Sequence, residues 1–167
     1  RNPMNPASPQ EQIHPFPPVF NSQSRLLILG TFPSVLSRAN AFYYGNPNNR
    51  FWAVLASLFE ENVPETVAQK QAFLLNHNIA LWDVLASCQI RGSSDASIRE
   101  ATPNDIASLL QKAPITKVFA NGQAAGRLYG RFFAGEGLPV AHVLPSTSPA
   151  NAAWSLQRLT DAWRAIL

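Results

Sequence analysis

Four short apolar runs, at residues 25–30, 79–82, 116–120 and 139–144, are separated by longer stretches with a helical pattern. Short apolar runs of this kind are typical of strands that are buried on both faces of a sheet. Between them, apolar residues recur every three or four positions, as in helices with one buried face. Strands that alternate with helices predict an α/β fold, a three-layer sandwich around a four-stranded parallel sheet.

Prolines and capping residues predict where the helices begin. Asn46 and Pro47 are typical of the start of a helix that continues to Phe59. By the same criteria Pro64 opens a second helix, and Thr102 with Pro103 opens a third. The polar residues 89–101 predict a loop.

The first 24 residues form a proline-rich segment. Pro15, Pro17 and Pro18 exclude a helix there and favour an extended chain. We therefore divide the sequence into an extended N-terminal arm, residues 1–24, and a single domain, residues 25–167. Phe16, Val19 and Phe20 are expected to attach the arm to the core.

Composition limits the function classes. Only 14% of the residues are charged, which is not typical of a disordered chain, and the net charge of +3 permits nucleic-acid binding without requiring it. Cys88 is the only cysteine, so an intramolecular disulfide and the usual zinc or iron–sulfur ligand sets are excluded, and we expect no metal. No apolar run reaches the roughly 18 residues of a membrane span. We expect a cytoplasmic monomer.

Strong catalytic motifs are absent from the sequence. There is no phosphate-binding glycine loop and no GxSxG motif, and the ten acidic residues show no evident paired-carboxylate arrangement. Asn-, Ser- and Pro-rich segments instead follow three of the strands, at residues 31–50, from 83 onward, and at 145–151. The carboxyl ends of parallel strands meet at one edge, so these segments should meet there. Neutral amides, hydroxyls and aromatic faces suit a flat nucleobase drawn out of DNA.

Five motifs in order carry a resemblance: GTFPS (30–34), YYGNPNNRFW (43–52), LWDVL through GSSD (81–95), VFANG (118–122) and LPSTSPAN (144–151). In this order they resemble the uracil-DNA glycosylase superfamily, and within it the DNA-deoxyinosine glycosylase branch. The resemblance implies hydrolysis of the N-glycosidic bond of a deaminated base, hypoxanthine or uracil, that is flipped out of DNA. It implies no cofactor and no metal.

The resemblance assigns catalysis to Asn49, whose amide could orient a water molecule or donate a hydrogen bond to the base. The alternative is that Asn49 only ties its loop to the backbone near a helix start. Phe32 stands close to where better-known members of the superfamily hold a water-activating Asp or Asn. It could stack on the base or be a core residue at a turn.

Three further residues are candidates for binding the base. Tyr43 and Tyr44 could flank it; the alternative is that at least one of the two belongs to the core. Asp83, after the second predicted strand, could accept a hydrogen bond from a ring N–H of uracil or hypoxanthine. Its alternative role is to cap a helix at residues 84–88.

A loop and one serine are assigned to DNA binding. The residues are Ser34, Pro145, Ser146, Thr147, Ser148, Pro149 and Ala150. Serine hydroxyls would contact phosphates, and a residue near Pro149 would fill the gap left by the flipped base. Leu144 stands where related families have histidine, and His142 is only a weak substitute. Arg91, Ser93 and Ser94 could line the DNA groove or be solvated.

The leading hypothesis is therefore a monofunctional DNA glycosylase of base-excision repair whose partner is DNA with deaminated bases. It is monofunctional because no lysine that could form a Schiff base stands near the expected site. The alternative is a non-catalytic module that binds damaged DNA on the same scaffold. A more distant alternative is a small-molecule hydrolase.

Overall fold

The computed structural model describes residues 10–40 and 42–167, and a parallel sheet of four strands forms its centre. In chain order the strands are β1 (Gln10–Ile13), β2 (Leu26–Gly30), β3 (Ile79–Asp83), β4 (Leu85–Ile90), β5 (Arg99–Pro103), β6 (Lys117–Asn121) and β7 (Ala141–Leu144). The helices are α1 (Val35–Asn40), α2 (Phe51–Phe59), α3 (Val67–Asn76), α4 (Ile106–Lys112), α5 (Gln123–Phe133) and α6 (Leu156–Trp163).

The central sheet has the strand order β3-β2-β6-β7, and all three neighbouring pairs are parallel. The register aligns Gly30 with Asp83, and Asn121 with Leu144. Each of these residues ends its strand, so all four lie along one edge of the sheet. The predicted three-layer α/β sandwich with a four-stranded parallel sheet is confirmed.

Each face of the sheet is covered by its own apolar cluster. Ile28 points toward the side of α2, α3 and α6, where Phe51 and Trp163 are buried. Leu27 and Leu29 point to the opposite side, toward α4 and α5. The alternation along β2 is the period of two that every strand imposes, so one continuous apolar run serves both cores.

A second sheet was not predicted. It is antiparallel with the order β1-β4-β5, and it incorporates both ends of the segment 89–101 that we predicted as a loop. The loop prediction is wrong at its first end because Cys88 and Ile90 point inward along β4 while the position between them is polar. It is wrong at its second end because β5 pairs there with β4. The helix considered at 84–88 is likewise absent, because β4 occupies that place.

Helix starts were predicted too early. α2 begins at Phe51, and Asn46 does not cap it: the Asn46 side chain accepts from the N–H of Asn48 in a turn instead. α3 begins after a capping box formed by Thr66 and Gln69. α4 follows Asp105, which accepts from the N–H of Ser108. At α3 and α4 the side chain that satisfies the first free N–H groups sets the start, whereas the N-cap residue of α2, Arg50, makes no such bond.

The described part of the N-terminal arm packs on the domain. Val19 exchanges backbone hydrogen bonds of 2.9 Å with Leu81, and Phe16 is buried beside it. β1 lies within this arm and pairs with β4. Residues 1–9 of the arm lie outside the described residues, and the division at residue 24 stays a prediction. Within the part of the chain that is described, no helix is long and apolar enough to cross a bilayer.

Candidate active site

A cleft opens at the carboxyl edge of the central sheet, where the polar segments were predicted to meet. Its volume is about 260 Å³, just below the ~300–1,000 Å³ of typical small-molecule sites. Residues that follow β2, β3, β6 and β7 line it, among them Phe32, Asp83, Asn121 and Ser146. Asn49 lines it from the turn before α2. This size suits one small planar group rather than a large cofactor.

Asn49 is held in a single amide orientation. Its side-chain oxygen accepts from the N–H of Phe51 at 2.9 Å and from the hydroxyl of Thr147 at 2.8 Å. A backbone N–H can only donate, so the oxygen must face inward. Both acceptor positions of the oxygen are thus used. Asn49 therefore ties its loop to the helix start, and its NH₂ group remains available to donate into the cleft.

Asn121 connects Asn49 to Tyr44 through a hydrogen-bonded chain that sequence reasoning missed. The Asn121 amide donates to the Thr147 hydroxyl at 3.0 Å and to the Tyr44 hydroxyl at 3.2 Å, and its oxygen accepts from the N–H of Thr147. Asn121 ends β6 within the VFANG motif, but that motif does not indicate which side chains would form hydrogen bonds with it. The chain fixes three side chains of the cleft relative to one another.

The two tyrosines separate into different roles. Tyr43 is 2% exposed, donates its hydroxyl to the carbonyl of Pro17 and belongs to the core. Tyr44 stacks on Phe51 at 4.1 Å, and its hydroxyl reaches the cleft edge above Gly30. Burial, with Asp83 nearby, raises the pKa of Tyr44 well above its ordinary value, so its hydroxyl keeps its proton.

Asp83 lies at the bottom of the cleft and is paired with His14. The distance from His14 Nε2 to Asp83 Oδ2 is 2.8 Å, and both side chains are 4% exposed. The other carboxylate oxygen lies above Gly30, where a Cβ atom would come within 2.3 Å of it. Glycine at this strand end therefore leaves room for the carboxylate. His14 was not predicted, because it lies on the arm, far from Asp83 in the sequence.

Phe32 lies between the core and the cleft. It is 9% exposed, lines the cleft and packs in the same apolar cluster as Leu29. The Arg38 guanidinium lies 5.7 Å from its ring centroid. Phe32 is thus a buried turn residue with one side toward the cleft, compatible with both roles considered.

The loop after β7 divides into buried and accessible residues. Thr147 is fully buried and bound to Asn49 and Asn121, so its hydroxyl does not face solvent, and its assignment to DNA binding stays a prediction. Ser146 and Ser148 accept from loop N–H groups, which leaves their hydroxyl protons free to donate outward. Pro145 starts the loop, half-buried, while the exposed Pro149 and Ala150 form its tip.

Arg50 fixes the shape of this loop. Its guanidinium donates to the carbonyls of Ser148 at 3.1 Å and Asn151 at 3.0 Å, and also to that of Trp154. Its backbone N–H donates to the carbonyl of Thr147 at 3.0 Å. Arg50 belongs to the PNNRFW motif, but that motif does not indicate which carbonyls the side chain would contact.

Asp95 brings a second carboxylate to the mouth of the cleft. Desolvation at the crowded mouth of the cleft and the nearby Asp83 raise the pKa of Asp95 to about 6, and Arg127 acts against this increase, although the Asp95 residue as a whole is exposed. Ser93 also lines the mouth, and its hydroxyl accepts from the N–H of Val35. Ser34 lines the cleft too and hydrogen-bonds Ser37.

Two other features bear on chemistry at the edge. Leu144 is buried and His142 is exposed, with its ring 5.5 Å from that of Phe119. His142 does not line the cleft. Within residues 10–40 and 42–167, no three His, Cys, Asp or Glu side chains are grouped as metal ligands would be.

Known proteins resemble this chain over most of its length. Residues 17–167 match the family model of the uracil DNA glycosylase superfamily. A hypoxanthine DNA glycosylase from Methanosarcina acetivorans is 36% identical over 153 residues, which cover 90% of this chain and 95% of that protein. One from Methanosarcina barkeri is 35% identical over 113 residues, covering 66% and 72%. A solution NMR structure of a uracil DNA glycosylase candidate from M. acetivorans has 32% identity and a TM-score of 0.76, covering 93% of this chain and 99% of that one.

Proposed function

The chain belongs to the uracil DNA glycosylase superfamily, and we propose that it is a monofunctional DNA glycosylase that removes hypoxanthine or uracil from DNA. One observation carries the proposal. A cleft of nucleobase size places an acceptor, Asp83, and a donor, the Asn49 amide, beside aromatic walls at the strand ends. That combination suits a base with a ring N–H and a carbonyl group, as deaminated bases have.

The Asn49 amide acts as a hydrogen-bond donor in this mechanism. When the glycosidic bond breaks, its electron pair goes to the base, and a fixed donor stabilises the negative charge that develops there. Water then adds to the sugar C1′ and loses a proton, which leaves the free base and an abasic site. Because the Asn49 oxygen is already bound twice, orienting that water is the less favoured of its two predicted roles.

Asp83 and Tyr44 are proposed to hold the base, with Phe32 at its side. The free Asp83 oxygen accepts a hydrogen bond from the ring N–H, and the ring of Phe32 contacts the base plane. Base–aromatic stacking contributes about 1–3 kcal/mol. Tyr43 also lines the cleft, but its hydroxyl donates to the carbonyl of Pro17, so it supports this wall rather than donating to the base.

The DNA strand is proposed to bind the loop after β7. The hydroxyls of Ser146 and Ser148 donate to phosphates, as does that of Ser34, which lines the same cleft, and the tip formed by Pro149 and Ala150 enters the duplex. Arg50 holds this loop in shape before DNA arrives, which lowers the entropy cost of binding. We propose that the protein acts as a monomer without a cofactor.

Hypoxanthine is the favoured base. Both Methanosarcina relatives carry the name hypoxanthine DNA glycosylase, and one of them aligns with 90% of this chain. No lysine lines the described part of the cleft, so the product should be an intact abasic strand rather than a strand cut through a Schiff base.

The direct test uses duplexes with one hypoxanthine, uracil, thymine or xanthine, followed by alkali to cut abasic sites. We expect strand cleavage only after alkali, with hypoxanthine the fastest substrate. Asn49→Ala should lower the single-turnover rate by about 10²–10³-fold, as loss of a transition-state donor does, with little change in DNA affinity. Absence of abasic product from all four duplexes would refute the proposed glycosylase activity.

If no duplex yields abasic product but the protein binds DNA in a salt-dependent manner, the result would support the alternative, a damaged-DNA-binding module. The observation behind this alternative is the apolar character of two positions. Phe32 and Leu144 are both buried hydrocarbon side chains, at positions where the family resemblance implies polar groups. Neither can position water or stabilise charge.

A further inference from the structure

The His14–Asp83 pair lies in apolar surroundings beneath the cleft. His14 is enclosed by the rings of Phe16, Phe32 and Tyr43, with centroid distances of 4.7, 6.0 and 5.8 Å. Its Nε2 atom bonds Asp83 at 2.8 Å, whereas its Nδ1 atom is buried without a hydrogen-bond partner among the described residues. An imidazole held in this way has only one polar contact, and that contact is with Asp83, the residue proposed to accept a hydrogen bond from the base.

The unpartnered Nδ1 atom selects the protonation state of the pair. If Asp83 carried the shared proton, or if the imidazole were charged, Nδ1 would bear a hydrogen with nothing to accept it. A buried donor without a partner is costly and rare, while an unused lone pair is tolerated better. The favoured state therefore has a neutral His14 that donates through Nε2–H to an ionised Asp83.

The charged groups around Asp83 leave His14 as its one stabilising partner. Tyr43, Tyr44 and Asp95 are the other titratable groups that interact with it electrostatically. Asp95 is itself acidic and opposes ionisation of Asp83. Of these groups in the described chain, only His14 donates a hydrogen bond to the carboxylate. Without that bond, a carboxylate that is 3% exposed would have no hydrogen-bond donor among these groups, which is costly for a buried charge.

We propose that His14 is a positioning and specificity-determining residue that keeps Asp83 a pure hydrogen-bond acceptor toward the base. This inference rests on the proposed function. Deamination converts the ring nitrogen of adenine or cytosine from a lone-pair acceptor into an N–H donor. An ionised Asp83 attracts the N–H of hypoxanthine or uracil and repels the lone pair of the normal bases. A protonated Asp83 would donate to adenine or cytosine and lose that discrimination.

The test compares His14→Ala and His14→Gln by single-turnover kinetics on hypoxanthine and adenine duplexes between pH 5.5 and 9. At neutral pH, His14→Ala should cleave hypoxanthine about tenfold more slowly or worse, because the variant loses a hydrogen bond to a carboxylate. Its rate should recover as the pH rises, and its preference for hypoxanthine over adenine should fall. Gln retains an N–H donor near the Nε2 position, so His14→Gln should keep the wild-type profile.

Two results would contradict the proposed role of His14. An equal loss at every pH in a folded His14→Ala variant would mean a structural role, and a His14→Gln variant that behaves like His14→Ala would exclude the neutral donor. The matched control is His77→Gln, which removes the imidazole of a His77–Glu61 pair whose side chains are 21% and 47% exposed, away from the cleft. Its pH profile should equal that of the wild type.

A second measurement does not depend on cleavage. Long-range ¹H–¹⁵N NMR spectra of the wild-type protein should show His14 protonated at Nε2 and unprotonated at Nδ1. A protonated Nδ1 would overturn the inference. If the wild type cleaves no deaminated base while the Nε2–H tautomer is observed, the proposed function fails but the state assigned to the pair stands.

Discussion

Thr147→Val removes one hydroxyl from the hydrogen-bonded chain of side chains that orients Asn49, and it preserves the shape of the Thr147 side chain. Thr147 is fully buried, donates to Asn49 at 2.8 Å and accepts from Asn121 at 3.0 Å. After the substitution, Asn49 keeps its bond from Phe51 and Asn121 keeps its bond to Tyr44. The amide of Asn49 then has one anchor instead of two.

The expected magnitudes follow from these contacts. Because each group left behind keeps one partner, the cost in folding free energy should be about 1 kcal/mol, which lowers Tm by about 2–4 °C for a protein of this size. The single-turnover rate should fall by about tenfold, less than the ~10²–10³-fold for loss of the donor itself. DNA affinity should not change, because the Thr147 side chain does not face solvent.

The assay is single-turnover cleavage of a hypoxanthine duplex, with DNA binding measured by fluorescence anisotropy and Tm by circular dichroism. The matched control is Thr160→Val. Thr160 is 5% exposed, and its hydroxyl donates to the carbonyl of Leu156 within α6, outside the cleft. The control should lose stability without losing rate. A folded Thr147→Val protein with the wild-type rate, or equal rate losses in both variants, would refute the orienting role.

Two further predictions concern the floor and the mouth of the cleft. Gly30→Ala should nearly abolish cleavage, because the new Cβ would lie 2.3 Å from Asp83 Oδ1 and 2.9 Å from the Tyr44 hydroxyl. The control, Gly130→Ala, meets no atom within 4 Å in α5 and should raise the stability by about 1 kcal/mol, measured by urea unfolding. With a pKa of about 6, Asp95 gains its negative charge as the pH rises from 5 to 7. DNA affinity should fall over that range in the wild type and fall less in Asp95→Asn, and identical titrations would contradict this.

Preorganisation links these predictions to the proposed reaction. Asn49, Asn121, Thr147 and Tyr44 are joined by hydrogen bonds inside the protein before a base is bound. Groups fixed in this way need no reorganisation as the bond breaks, which is the main advantage of a protein site over water. Arg50 gives the DNA-binding loop the same property, since its guanidinium is bound to three loop carbonyls.

The sequence by itself determined the central sheet and the place of the cleft. Apolar runs report which segments are buried on both faces, and the carboxyl ends of parallel strands must meet at one edge. That is why residues 30, 83, 121 and 144 end adjacent strands, each within one residue of the predicted strand end. The small antiparallel sheet was missed because its strands are short and half polar, a pattern that loops share.

The tertiary structure alone decided which polar groups meet. His14 and Asp83 are 69 residues apart in the chain, and Asn49 and Thr147 are 98 apart. The periodicity of apolar residues indicates which positions are buried. A hydrogen bond, in contrast, needs a donor–acceptor distance that is correct to a few tenths of an ångström, between segments that only folding brings together. The sequence could therefore name Asn49 and Asp83 as candidates. Their partners, and hence the choice between the two roles considered for Asn49, followed only from the packing around them.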